Sequence, residues 1–208
     1  SLGSHLNEHI LISSLPICFM NDHINTNELS KTLSGRIIYL VGMMGSGKSK
    51  TGPHISKSLG YRFVDQDDVI EKVAKLSIAE IFQEEGESSF REIETQVLKE
   101  IGQRHSLVVA TGGGVVTCIE NWGILHQGIV IWINPIRERL IERLKADADT
   151  RPLLGRENRI ASLDKLMNDR HRYYSESDLN ISVDQETPED VAQLILQALK
   201  AKLKNSQG

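Results

Sequence analysis

The sequence predicts an α/β fold in three layers, a parallel sheet with helices on both of its faces. Three observations carry this. Short apolar runs of strand length recur from Arg36 onward. Longer stretches with helix start and stop signals lie between them, so that strand and helix alternate. A glycine-rich turn separates the first strand from the first helix of this series.

The elements follow in order. "RIIYLV" is a short, mostly apolar run that suits a buried parallel strand. After the glycine turn, "KSKTGPHISKSLG" reads as a helix stopped by Gly60, with Pro53 early enough to be tolerated. "YRFVD" is the second strand. Ser77 is placed to N-cap a long helical region, "IAEIFQEEGESSFREIETQVLKEIG", expected to break near Gly86. "SLVVA" and "GIVIWIN" are the third and fourth strands, and "PIRERLIERLKA" is a helix expected to open at Pro135. "NISV" is a weak fifth strand, and Thr187, Pro188 and Asp190 mark the start of a last helix, "EDVAQLILQALKAKLK". No internal repeat or low-complexity segment interrupts the series.

Bulk composition narrows the function classes. At 208 residues the chain suits one well-packed domain. A formal charge of -4 gives no reason to expect a nucleic-acid partner or an anionic membrane surface. No apolar run reaches the roughly 18 residues needed to span a bilayer. The two cysteines, Cys18 and Cys118, have neither zinc spacing nor the density of a disulfide framework, and Cys118 reads as a reduced intracellular thiol. Residues 1–34 have mixed polarity and no clear period; they read as a tail, in part vector-derived at "GSH", with a helix in "NTNELSKTL". The domain is expected over residues 35–208.

Residues 42–49, "GMMGSGKS", fill every defined position of G-x-x-x-x-G-K-[ST] and sit between a strand and a helix. Here the backbone N–H groups around Gly45, Ser46 and Gly47 turn toward phosphate oxygens, and the helix N-terminus adds its positive end. Lys48 brings charge to the β- and γ-phosphates, and the Ser49 hydroxyl suits Mg²⁺. Lys50 adds a backbone N–H. The motif does not name the phosphate acceptor. A guanine-reading [NT]-K-x-D segment is missing. The third strand ends in Thr111 and three glycines, where many ATPases carry a metal-holding acid.

The one acid cluster at a strand end is "DQDD". This points at least one of its carboxylates toward metal duty. Alternation lets Asp65 and Asp67 face one site if the strand geometry persists that far, whereas Asp68 is the better helix cap. Ligands of parallel sheets gather outside the carboxyl ends of the strands, where the glycine turn, "DQD" and "TGGG" all lie. The seven histidines show no metal spacing.

"GMMGSGKSKTG", "FVDQDDVIE", "IAEIFQEEGESSFREIE", "ATGGGVV", "TRPLL" and the stretch 170–174 occur in the order found in shikimate kinases, and the chain resembles that family from about Arg36 to about Leu199, its plant and cyanobacterial branch most. The resemblance implies an adenylate-kinase-like P-loop fold with a five-stranded sheet in the order 2-3-1-4-5. It also implies Mg²⁺-dependent transfer of the ATP γ-phosphoryl group to the 3-hydroxyl of shikimate, on the route to chorismate and the aromatic amino acids.

Roles carry over by resemblance. Asp65 resembles the acid that holds Mg²⁺, and Asp67 the carboxylate that binds shikimate hydroxyls and orients or deprotonates the attacking one. Arg91 resembles the guanidinium that grips the substrate carboxylate, braced by Glu94, with Arg170 as the second such arginine. Gly112, Gly113 and Gly114 resemble the turn whose backbone comes close to the substrate ring. Arg151 resembles the lid arginine that reaches the transferring phosphate, within a lid at about 145–158, and Arg143 an adenine-side arginine. Phe82 and Phe90 resemble pocket walls, with a purely core role left open. The chain departs from the family at three places. Lys50 stands where Thr or Ser is common; "RHRYY" lacks the usual proline, which leaves a helix break near Arg172 open; "DQETP" offers no arginine to adenine.

Two other readings stay open: another small-molecule P-loop kinase, for gluconate or a nucleoside monophosphate, and a related binding protein without catalysis. A monomer in a bacterial cytoplasm is expected, with a plastid stroma the alternative for a mature plant form.

Overall fold

The computed structural model describes residues 26–147 and 156–205. Five strands form one fully parallel sheet: β1 (Ile38–Val41), β2 (Arg62–Asp65), β3 (Leu107–Ala110), β4 (Ile129–Pro135) and β5 (Leu179–Val183). Their order is β2-β3-β1-β4-β5, as the resemblance implies. In chain order the helices are α1 (Thr26–Leu33), α2 (Lys48–Leu59), α3 (Gln66–Ala74), α4 (Ile78–Glu84), α5 (Gly86–Gly102), α6 (Ile119–Leu125), α7 (Arg137–Asp147), α8 (Arg156–Tyr174) and α9 (Pro188–Asn205).

Strand alternation divides the interior into two cores. Ile38 and Leu40 of β1, with Ile129, Ile131 and Ile133 of β4, pack against α2 and α9. Tyr39 and Val41, with Val130 and Trp132, point the other way, toward α5, α6, α7 and α8. Both faces of the central strands are therefore apolar, which is why these strands read as continuous hydrophobic runs.

Several boundaries are those the sequence signals. Ser77 caps α4 in a full capping box with Glu80. The break falls near Gly86, as expected: α4 ends at Glu84 and α5 opens at Gly86, whose φ is +82°. Gly60 ends α2 in a left-handed cap, and Thr187 with Asp190 opens α9.

Three boundaries differ. Residues 26–34 are not tail: α1 buries Leu29 and Leu33, four apart on one face, in the core shared with α2 and α9, and Ser30 Oγ donates to Leu59 O at 3.0 Å. Pro135 ends β4 rather than opening α7, because Ile136 N–H still donates to Val183 O of β5 and the helix starts only at Arg137. The strand geometry does not persist to Asp67. β2 stops at Asp65, and Asp65, not Asp68, is the N-cap of α3, its side chain accepting from Asp67 N–H. The break left open near Arg172 does not occur: without the proline, α8 runs unbroken to Tyr174.

Candidate active site

Because β1 lies beside β3 and β3 beside β2, the carboxyl ends of the three strands stand in a row. The glycine-rich turn leaves β1, the "DQD" corner leaves β2, and the "TGGG" turn leaves β3. This is the edge of a parallel sheet where ligands bind.

On the β1 turn, Lys48 is buried and folds over its own loop. Its Nζ donates to Gly42 O at 2.8 Å, Met43 O at 2.9 Å and Ser46 Oγ at 3.3 Å. Burial lowers its pKa to about 8, against the opposing charges of Asp67 and Asp65. The ammonium thus sits in a place that phosphate charge would favour.

Ser49, next along the turn, donates its hydroxyl to Asp65 Oδ2. The other oxygen, Oδ1, takes the Asp67 N–H at 3.0 Å. Asp65 therefore ties the phosphate loop to the start of α3. A hydroxyl and a carboxylate in contact form a hard, all-oxygen donor pair that fits Mg²⁺, an ion that takes few protein ligands and keeps waters and phosphate oxygens. Among the described residues no group of three or more His, Cys, Asp or Glu is placed to hold a metal.

Asp67 is half-buried in the first turn of α3, and its pKa is raised to about 6. Burial contributes most, then the charges of Asp65 and Glu94, with Lys48 opposing. It is the titratable group best placed to exchange a proton near neutral pH. Asp68, by contrast, is exposed.

Helix α5 supplies the next pair. Arg91 Nη1 meets Glu94 Oε1 at 2.7 Å, and Nη2 meets Glu87 at 3.3 Å. Glu94 is 1% exposed, so this is no solvated surface pair. Its second oxygen, Oε2, is buried with no hydrogen-bond partner among the described residues. Burial raises its pKa, with Arg91 opposing. Phe90 is buried, its ring 5.2 Å beneath the Arg91 guanidinium, and Phe82 packs on it at 4.6 Å while remaining partly exposed. Phe90 is thus a core residue that also supports the arginine.

The "TGGG" turn is where these side chains converge. A Cβ on Gly112 would lie 2.7 Å from Glu94 Oε2 and 3.2 Å from Asp67 Oδ1. One on Gly113 would lie 3.3 Å from Arg170 Nη1, and one on Gly114 2.5 Å from both Arg91 Nη atoms. None of the three has a positive φ. What these glycines provide is space: each lets the backbone approach a different charged side chain. Arg170 reaches the turn from α8, and Tyr174, one helical turn later, donates its buried hydroxyl to Gly113 O at 2.6 Å. Burial pushes the Tyr174 hydroxyl up to about 12, so it stays a donor.

On the other side of the phosphate loop lies a cavity of about 530 Å³. It is walled by residues 45–51, by Arg139 and Arg143 of α7, and by the loop before α9. Arg143 Nη1 donates to Gly45 O at 2.5 Å, in keeping with a nucleotide-side role. The "DQETP" loop brings Gln185, Glu186, Thr187 and Pro188 to the wall, none of them cationic. The cation the sequence reading missed is Arg139, one turn before Arg143. Lys50 N–H donates within the loop, to Gly47 O. Arg151 and most of the expected lid lie outside the described residues.

Gln66, between the two aspartates, was also missed. It is fully buried, and its amide bonds both Glu94 O and Gly112 N–H. No local pattern marks such a residue; its role depends on partners 28 and 46 positions away.

Comparison with known proteins shows the family. The family model described as shikimate kinase matches residues 44–200. A Prochlorococcus marinus shikimate kinase is 61% identical over 181 residues, 86% of this chain and 95% of the relative. A shikimate kinase of Parasynechococcus marenigrum is 56% identical over 86% of this chain and 94% of its own length. Among solved structures, a shikimate kinase from Acinetobacter baumannii in complex with shikimate superposes with a TM-score of 0.77 at 38% identity, covering 84% of this chain and 98% of that one. The chain belongs to the shikimate kinase family.

Proposed function

We propose that this chain transfers the γ-phosphoryl group of ATP to the 3-hydroxyl of shikimate, giving shikimate 3-phosphate and ADP, and that the residues gathered at the three strand ends divide the work as follows. The observation that carries the assignment is the convergence on one glycine turn of Lys48's neighbour Asp67, the Arg91–Glu94 pair and Arg170. A phosphate-binding lysine and two arginines suited to a carboxylate thus flank one carboxylate base. An acidic polyol such as shikimate has matching groups, a carboxylate at one end and hydroxyls at the other.

ATP occupies the 530 Å³ cavity, with its phosphates on residues 45–49 and Arg143 on the adenine side. Lys48 leaves its loop carbonyls for the β- and γ-phosphate oxygens and neutralises charge there. Ser49 and Asp65 would hold Mg²⁺, whose bound charge further neutralises the phosphates. Arg91 and Arg170 grip the shikimate carboxylate with planar, charge-assisted hydrogen bonds. Asp67, as carboxylate, accepts a hydrogen bond from the 3-hydroxyl, aims its oxygen at phosphorus and takes the proton as the bond forms. Arg151, which lies outside the described residues, would by family resemblance meet the transferring group. In this reading the chain acts as a monomer in a bacterial cytoplasm, in line with the cyanobacterial source of its relatives. Among the described residues no helix is long and apolar enough to cross a membrane.

Titration calorimetry of Arg91→Ala tests the assignment. Shikimate affinity should fall at least ~30-fold, the loss of a charge-assisted pair, while ATP affinity holds. Unchanged shikimate affinity would remove Arg91 from the carboxylate site.

A further inference from the structure

Gln66 is placed where a neutral amide does something neither neighbour could. It is the first residue of α3, flanked by Asp65 and Asp67, and it is 0% exposed. Its Nε2 donates to the Glu94 carbonyl on α5 at 3.0 Å. Its Oε1 accepts from Gly112 N–H at 3.3 Å, just past the end of β3. One side chain therefore joins the three segments that form the acceptor side of the site: the "DQD" corner, the helix bearing Arg91 and Glu94, and the glycine turn.

The chemistry of the position is narrow. The two partners are a backbone acceptor and a backbone donor, both buried, and both lose a bond if the amide goes. An ionised carboxylate could not donate to Glu94 O and would add a charge beside Asp65, Asp67 and Glu94. An apolar side chain would leave both backbone groups without this partner. The bond to Gly112 matters because that residue's backbone stands between the Glu94 and Asp67 carboxylates, with 2.7 and 3.2 Å of clearance at its missing Cβ. A small drift of the turn would change the spacing of both carboxylates and, through Gly114, the seat of Arg91.

We infer that Gln66 is a positioning residue for the acceptor substrate: its amide sets the spacing between Asp67, the Arg91–Glu94 pair and the glycine turn, and so governs shikimate recognition without touching the nucleotide side. This rests on the assignment of shikimate to that side. The nucleotide cavity shares no wall with Gln66. The signature is thus a split between the two substrates rather than a general loss.

Steady-state kinetics of the full chain provide the test, with Gln66→Met, which keeps length and volume, and Gln66→Glu, whose protonated form can make both bonds. Gln66→Met should raise KM for shikimate by ~10-fold, the loss of one well-made bond, and leave KM for ATP within ~2-fold. Gln66→Glu should recover part of that loss, more so at pH 6 than at pH 8, relative to the unaltered chain at each pH. Equal changes in both KM values, or an unchanged shikimate KM in folded Gln66→Met or in Gln66→Glu at pH 8, would overturn the inference. If Gln66→Met does not fold, Gln66→Glu is read alone by the same split. Absence of shikimate-dependent turnover in the unaltered chain would instead overturn the functional reading, and this inference with it.

Discussion

Asp67 holds its charge under strain, and that strain has consequences for both stability and catalysis. Its pKa is raised from 3.8 to about 6, first by burial and then by Asp65 and Glu94. A carboxyl raised on folding favours the folded state in its neutral form. That contribution is complete below pH 3.8 and is lost as pH rises through about 6. Asp67→Asn should therefore be more stable than the unaltered chain above pH 6, by on the order of 1 kcal/mol after allowing for solvent screening, and no more stable below pH 4. Denaturant unfolding at pH 4 and pH 8 reads this directly. The same variant should lose ~10²- to 10⁴-fold in turnover, as for removal of a general base. A variant that is both more stable and nearly inactive would mark Asp67 as a residue kept for chemistry. Its proposed role was read from strand alternation and family likeness, whereas the missing acid before "GGG" pointed to Asp65 and the metal. The reason first given, strand alternation, was not the right one: Asp65 brings Asp67 to the site by capping α3.

At the scale of elements, the glycine turn and α1 show two ways in which sequence pattern underdetermines structure. "TGGG" was legible as a site element from its place after β3. Its physical purpose was not, because it depends on side chains from α3, α5 and α8 that pack against it. Gly114→Ala should push on Arg91, whose Nη atoms lie 2.5 Å from the added carbon, and weaken shikimate binding by ~10-fold. Nucleotide binding should be unaffected, and calorimetry with each ligand separates the two. Helix α1 was expected in "NTNELSKTL" but as part of a tail, since eight residues are too short to be stable alone and do not name the partner they pack on. Its burial comes from the groove that α2 and α9 offer to Leu29 and Leu33. Leu33→Ala should cost ~2–4 kcal/mol in chemical denaturation, the usual range for a buried leucine. A loss under ~0.5 kcal/mol would return α1 to the status of a tail.

The molecule as a whole is organised by its strand order. Placing β3 between β1 and β2 sets the phosphate loop, the glycine turn and the "DQD" corner in a row, and the helices that leave these ends carry Lys48 and Asp67 with them. Alternating apolar runs and the "GMMGSGKS" spacing are local signals, so fold class and phosphate site were legible early. Gln66 and Arg139 are defined by distant partners and were not. The central claim is that this one edge joins ATP to an acidic polyol. ADP release measured with ATP and Mg²⁺, in the presence and absence of shikimate, tests it most directly. A slow background, raised at least ~100-fold by shikimate and not by gluconate or AMP, is the expected result. ADP release indifferent to shikimate, or raised equally by gluconate or AMP, would contradict it.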